Sequence, residues 1–139
     1  MLSGEYNHTI DPKSRLFIPA KLRDILGNEI VIAKNVDRCI SVYPRSSWEC
    51  FEEKLAQLPE IQSRDIKRFL YSSANDVQPD SQGRILLPQK LRDYAGIDKN
   101  VTIIGAGDHV EIWDDNAWNE KINGSDNDKI VETMIALGL

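Results

Sequence analysis

The sequence predicts an α+β fold, mainly β. Two strand–strand–helix–strand–strand units build the halves of one small β-barrel about a pseudo-two-fold axis. Three observations carry this expectation. First, residues 11–24 read DPKSRLFIPAKLRD and residues 80–93 read DSQGRILLPQKLRD, 69 positions later. Over 11–27 against 80–96, eight of seventeen positions are identical: Asp11/Asp80, Arg15/Arg84, Pro19/Pro88, Lys21/Lys90, Leu22/Leu91, Arg23/Arg92, Asp24/Asp93 and Gly27/Gly96. Second, each copy alternates short strand-like runs around one short helical stretch. Third, 139 residues with 41% hydrophobic content suit a single modest core.

The elements follow in order. Tyr6, His8 and Ile10 alternate as a strand, which the turn-forming DPKS ends. RLFI resumes as a second strand. Pro19 opens a short helix, PAKLRDILG, and Gly27 stops it. IVIA is a buried strand and CISVY an alternating one. The second copy repeats the order with NDVQP, RILL, PQKLRDYAG, VTIIG and HVEIW. A slip of one residue then relates Ile40, Val42, Tyr43 and Trp48 to Val110, Ile112, Trp113 and Trp118. One unit is too small to bury its own sheet, whereas two can close a barrel and remove their edges.

Helical sequence follows each copy. SSWECFEEKLAQL begins with Ser46 and places Glu49 three residues on, a capping-box pattern. After Pro59, the stretch EIQSRDIKRFLYSSA sets Ile61, Ile66, Phe69 and Leu70 on an apolar stripe. DNAWNEKI is a short helix, GSDN a linker, and DKIVETMIALGL a last amphipathic helix. Such helices are expected to pack on the barrel or on a neighbouring subunit.

Composition narrows the function classes. MLSGEYNHTIDPKSR has no basic start and no apolar h-region, and the longest apolar runs are far too short for a bilayer, so the cytoplasm is expected. Cys39 and Cys50 belong to no CxxC or Cys/His cluster and are expected as reduced, mostly buried thiols. The net charge of −5 limits non-specific phosphate binding by a lone monomer. Its distribution matters more. Residues 11–23 hold Lys13, Arg15, Lys21 and Arg23 against Asp11 alone, while the acids gather between 108 and 132.

The repeated DxxxR carries the candidate chemistry. Aspartate at the start of a turn accepts a hydrogen bond from the backbone two residues on. Arginine four positions later opens the next strand, where the carboxylate can fix its guanidinium. A fixed guanidinium offers a planar fork suited to phosphate or to guanine O6/N7. In this reading Arg15 and Arg84 touch DNA, Asp11 and Asp80 support them, and Lys13 adds a phosphate contact. The plainer reading is an Asp–Arg clasp that only holds the hairpin. Lys21, Arg23, Lys90 and Arg92 sit on the short helices facing outward, as phosphate contacts or as a solvated face, with Asp24 and Asp93 pairing nearby bases. The repeated helix is about two turns long and opens with proline, so loops or strand ends, rather than a recognition helix, would meet DNA.

These residues resemble the MraZ family of bacterial transcriptional regulators. MLSGEYNHTIDPKSRLFIPAKLRDIL is similar to the family's first repeat, and DSQGRILLPQKLRDYAGI with HVEIWDDNAW to its second. The duplicated DxxxR is the family's hallmark. The likeness covers residues 1 to about 122 and implies four segments. These are a SpoVT/AbrB-like repeat at 1–50, a helical linker at 51–75, a second repeat at 76–122 and a helical tail at 123–139. It further implies a swapped-hairpin barrel of the AbrB class, assembled as a homo-oligomeric ring. Its partner would be double-stranded DNA at promoter direct repeats of the division and cell-wall gene cluster, its own promoter included, with a nucleoid-associated location. The family often has glycine before the motif arginine. Gly83 fits, and Ser14 departs.

Rival readings are weaker. The only histidines, His8 and His109, lie in expected strands without a serine or cysteine nucleophile motif, so catalysis is not expected. GAG at 105–107 reads as a turn rather than a phosphate cradle, and DNDK lacks the rest of a calcium loop. No cofactor or metal is expected. Trp48, Trp113 and Trp118 read as packing residues before they read as base-stacking platforms. The remaining alternative is a ring-forming protein-interaction module without direct DNA contact, its acidic tail suiting solvation or a basic regulatory partner.

Overall fold

Neither repeat pairs its first strand with its own hairpin. The computed structural model describes all 139 residues as eight strands and six helices, and its strand order is crosswise. In the first repeat, β1 (Glu5–Thr9) and β2 (Arg15–Phe17) precede α1 (Ala20–Leu26) and the hairpin β3 (Ile30–Lys34) and β4 (Ile40–Pro44). The helices α2 (Arg45–Ala56) and α3 (Glu60–Tyr71) follow. The second repeat supplies β5 (Asn75–Val77), β6 (Arg84–Leu86), α4 (Gln89–Ala95), β7 (Asn100–Gly105) and β8 (Val110–Asp114), then α5 (Asp115–Asn123) and α6 (Asn127–Ala136).

β1 pairs antiparallel with β7, Tyr6 opposite Ile103, and β5 pairs with β3, Val77 opposite Ile30. β4 meets β8 at the centre, Ile40 opposite Ile112. The six-stranded sheet therefore runs β1-β7-β8-β4-β3-β5 and reads the same when the repeats exchange roles. The two remaining strands form their own ribbon, β2 with β6, with Leu16 opposite Ile85. The α+β, mainly-β class is as the repeat predicts.

Sheet and ribbon enclose one core of 19 residues drawn from both repeats. Leu16, Ile18, Ile85 and Leu87 enter it from the ribbon, Leu22 and Leu91 from the short helices, and Ile32, Ile40, Ile103 and Ile112 from the sheet. β3 is buried on both faces. Ile30 and Ile32 point into the core, while Val31 and Ala33 pack under Trp48 of α2. That is why IVIA has no polar alternation. Gly105 is needed for a close approach, since a Cβ there would stand 2.3 Å from the Ser3 amide nitrogen.

Several expectations change. Ser46 and Glu49 form no capping box. Helix α2 starts at Arg45 with Pro44 at its N-cap and no side-chain cap bond, so Ser46 lies inside the first turn. The equivalent Asp114 does cap α5, accepting from the Ala117 amide at 3.1 Å. Cys39 is buried but Cys50 is exposed. His109 lies in the turn before β8, not in a strand. Along α3, Phe69 and Leu70 are half-buried, whereas Ile61 and Ile66 face solvent. Topology explains the difference between α3 and α6. The chain after α3 must return to place β5 beside β3, which draws the end of α3 onto the body. No strand follows α6, and none of its residues is buried.

The two DxxxR turns share one geometry although their three middle residues differ, Pro12, Lys13 and Ser14 against Ser81, Gln82 and Gly83. The position before the arginine takes a left-handed conformation in both, with φ of 65° at Ser14 and 78° at Gly83. Serine is strained there and glycine is not. A Cβ at Gly83 would also fall 2.6 Å from the Arg23 guanidinium carbon.

Truncating Leu16 to alanine should cost about 2–5 kcal/mol of unfolding free energy in urea titration, because the site lies between ribbon and sheet with little freedom to collapse. Ser14→Gly should stabilise by ~0.5–1 kcal/mol by relieving the left-handed strain. Gly83→Ser should destabilise and release the Arg23 side chain, seen as a loss of its guanidinium Nε–H protection in NMR. Equal and opposite effects at the two turns would show that Arg23 is irrelevant to them.

Candidate nucleic-acid interface

Each turn is organised by one carboxylate. Oδ1 of Asp11 accepts from the amides of Lys13 and Arg15, both at 2.9 Å, and Oδ2 accepts from Arg15 Nε at 2.8 Å. Oδ1 of Asp80 likewise accepts from the amides of Gln82 and Arg84 at 2.9 Å, and Oδ2 from Arg84 Nε at 2.8 Å. The backbone closes both turns, with the Asp11 and Asp80 amides donating to the Arg15 and Arg84 carbonyls at 2.9 and 2.8 Å. Both carboxyls titrate below the ordinary aspartate value. The Arg15 amide lowers Asp11 most, helped by the Arg15 guanidinium and the Lys13 amide. The Arg84 amide does the same for Asp80, with the Gln82 amide and the Arg84 guanidinium.

The ribbon brings the two clasps together. β2 and β6 run antiparallel with Phe17 opposite Arg84 and Arg15 opposite Leu86. Arg84 Nη1 consequently lies 3.9 Å from Asp11 Oδ2, across the repeats. Each turn also holds the other strand's end. The Ile18 amide donates to the Gly83 carbonyl and the Leu87 amide to the Ser14 carbonyl, both at 2.9 Å. Two motifs 69 positions apart thus become one surface feature. Only the Nε of each arginine is committed to its aspartate, and the terminal nitrogens make no hydrogen bond within the chain.

Alternation decides what else faces outward. Leu16 and Ile85 point into the core, so Phe17 and Leu86 emerge on the same face as the arginines, 38% and 56% exposed. They were not singled out from the sequence. The period-two pattern of RLFI and RILL, with its inward pairs Leu16/Ile18 and Ile85/Leu87, would have found them. His8 of β1 contacts the Phe17 ring at 5.4 Å between centroids.

The other candidates separate. Lys13 is exposed at the tip of the first turn. Lys21 and Lys90 are exposed on α1 and α4, without a hydrogen bond or ion pair to the ribbon. Arg23 and Arg92 do not point outward as expected. Arg23 Nε donates to the Ile18 carbonyl at 2.7 Å and its guanidinium lies 5.3 Å from the Phe17 ring. Arg92 Nε donates to the Leu87 carbonyl at 3.1 Å. Both fold back because the chain turns sharply from ribbon to helix and leaves that carbonyl unpaired. Asp24 and Asp93 form no ion pair either, and Asp93 Oδ1 instead accepts from Gln89 Nε2 at 2.6 Å.

Trp48 and Trp113 are buried, and Trp118 donates to Glu5 at 2.8 Å, so all three are engaged in packing or hydrogen bonds. His109 is tied at both ring nitrogens, to Asp108 at 2.7 Å and Glu111 at 3.0 Å, and stacks on Tyr43. Glu111 above all, then Asp108, raises its pKa against the opposing effect of burial. Neither nitrogen is left to serve as a base.

Comparison with known proteins agrees with the duplication. A family model described as "MraZ protein, putative antitoxin-like" matches twice, over residues 1–69 and 70–136. A protein of Clostridium beijerinckii named transcriptional regulator MraZ is 46% identical over 142 residues, covering all of both chains. One of the same name from Heliobacterium modesticaldum is 46% identical over 144 residues, again over both full lengths. A third, from Moorella thermoacetica, is 48% identical over 122 residues, covering 86% of this chain and 85% of its own. Matched twice by the family model and end to end by these relatives, the chain belongs to the MraZ family.

Proposed function

We propose that this protein is a transcriptional regulator that binds double-stranded DNA through the β2–β6 ribbon. The observation that carries the reading is the pairing of two aspartate-held arginines on one exposed ribbon, with their terminal nitrogens free of hydrogen bonds within the chain. The relatives' name, transcriptional regulator, supports the same conclusion.

The electrostatics favour recognition by shape over attraction by charge. Asp11 and Asp80 offset Arg15 and Arg84, and Lys13 leaves only a small positive excess at the tip. A neutralised pair attracts phosphate weakly. A guanidinium already fixed at Nε loses little freedom on binding, and its remaining edge can meet O6 and N7 of a guanine. Phe17 and Leu86 add apolar contact beside each fork, as a thymine methyl group would require. Arg23 supports this surface by holding Phe17 rather than by gripping phosphate itself.

One ribbon offers few contacts, and the chain carries a net charge of −5. Affinity then comes from several subunits engaging repeated sites at once. A closed ring built head to tail presents its ribbons in one sense, which suits direct repeats rather than a palindrome. We place the sites in the promoter of the division and cell-wall gene cluster, the protein's own gene included. A ring that binds only proteins is the competing reading, favoured by the unpacked α6 alone.

Fluorescence anisotropy with DNA from upstream of the protein's own gene tests the reading, with light scattering to verify assembly. Arg15→Ala and Arg84→Ala should each lower discrimination against scrambled DNA by about 1–3 kcal/mol per engaged subunit, with assembly unchanged. Arg15→Lys should not restore it, since lysine lacks the fork. Lys13→Ala should weaken all DNA alike and lower the slope of log K against log salt by about one unit per engaged subunit. Wild-type binding indifferent to sequence, or arginine variants that bind like wild type, would leave the motif a hairpin clasp.

A further inference from the structure

A ten-residue helix with no buried residue is an unstable object in water. Helix α6 is N-capped by Asp126, which accepts from the Lys129 amide at 3.1 Å, yet every residue from 127 to 136 is exposed. Isolated helices shorter than about 12–15 residues are marginal. Its apolar residues are also ordered: Ile130, Met134 and Leu137 follow the i, i+4, i+7 spacing of a helix that lies in a groove and are 51%, 45% and 70% exposed. Asp126, Asp128 and Glu132 against Lys129 give this segment a net charge of −2.

The chain carries one groove of matching chemistry elsewhere. A cavity of about 710 Å³ lies between α3, α4 and the β3–β4 turn. Its apolar floor includes Val36, Ile66, Phe69 and Tyr94, and Lys34 and Arg38 supply its cations. Val36 is 81% exposed and Ile66 40%. The Lys34 ammonium lies 5.4 Å from the Phe69 ring and 5.3 Å from that of Tyr94. The Arg38 guanidinium lies 5.3 Å from the Tyr94 ring. Asp65, the one acid at the groove, is engaged by Arg68 at 3.2 Å. The groove is built from both repeats, with Tyr94 donating to the Asn35 carbonyl at 2.7 Å, so it exists only in the folded body.

We propose that α6 of one copy docks in the α3–α4 groove of the next copy. Acidic apolar helix meets basic apolar groove, and the two surfaces differ. The contact is therefore head to tail, and each copy keeps one helix and one groove to offer. This rests on the assembled state of the proposed function and names the surfaces that make it.

The test mixes two full-length variants. A tail variant, Ile130→Glu with Met134→Glu, keeps its groove; a groove variant, Val36→Glu with Ile66→Glu, keeps its tail. All four positions are exposed, and circular dichroism checks that each variant stays folded. By light scattering, each variant alone should be monomeric and an equimolar mixture should form a dimer. Arg38→Glu alone should raise the dissociation concentration of the assembly by roughly tenfold through like-charge contact, which gives a second reading if the groove variant misfolds. The proposal is overturned if the groove variant still assembles while the tail variant does not, which would mean helix-to-helix pairing. It is overturned equally if neither variant changes the mass, if the mixture stays monomeric, or if the wild type is itself monomeric. These outcomes concern mass alone. An assembled wild type that shows no DNA preference would count against the DNA reading and leave this one standing.

Discussion

Everything in this molecule depends on strands being lent across the repeats. β1 completes the sheet of the second hairpin, β5 completes that of the first, and β2 and β6 pair with each other. Neither repeat has a core of its own, because Leu16 and Ile85 are buried only when both strands of the ribbon are present. The same exchange makes the surface. Two turns that belong to different halves of the chain face one another because the strands that follow them are partners. Stability and site are consequences of one pairing pattern, so a change in the ribbon's inner face reaches its outer face directly.

The aspartates occupy a double position in that pattern. Each accepts two backbone amides and one guanidinium N–H, which is close to the capacity of an ionised carboxylate on one side. The turn and the arginine are held by the same group. Fixing the arginine weakens its charge and sharpens its direction. A chain with an acidic total can therefore carry an oriented donor surface, provided that many such surfaces act together.

Much of this was legible in the residues. The duplication, the two periods of apolar alternation and the glycines after each short helix announced every strand and helix with small boundary shifts. The Asp–Arg contact followed from turn chemistry at a spacing of four. What stayed hidden were relations between segments. Nothing in DPKSRLF or DSQGRIL says that the two turns meet, since strand partnership is decided by which pairing buries both inner faces. Local patterns misled where a neighbour competed for the same role. Pro44 displaced Ser46 as the cap of α2, and the free carbonyls of Ile18 and Leu87 drew in Arg23 and Arg92, which a helical wheel alone would turn to solvent. The apolar stripe of α6 was visible too, but not that its own body would leave it uncovered.

The exchange of strands also sets a timetable for the nascent chain. β1 emerges first from the ribosome, yet its partner β7 begins at Asn100, whereas Thr9 ends β1. At about 5–20 residues per second, roughly 5–20 seconds separate the two in synthesis. Over that interval the first hairpin can form and β2 gains its partner β6 at Arg84–Leu86, but β1 has no partner to join. Folding of the whole must wait until β7 has emerged, and an unpaired β1 is what a chaperone, or a neighbouring chain on the same messenger, would encounter first.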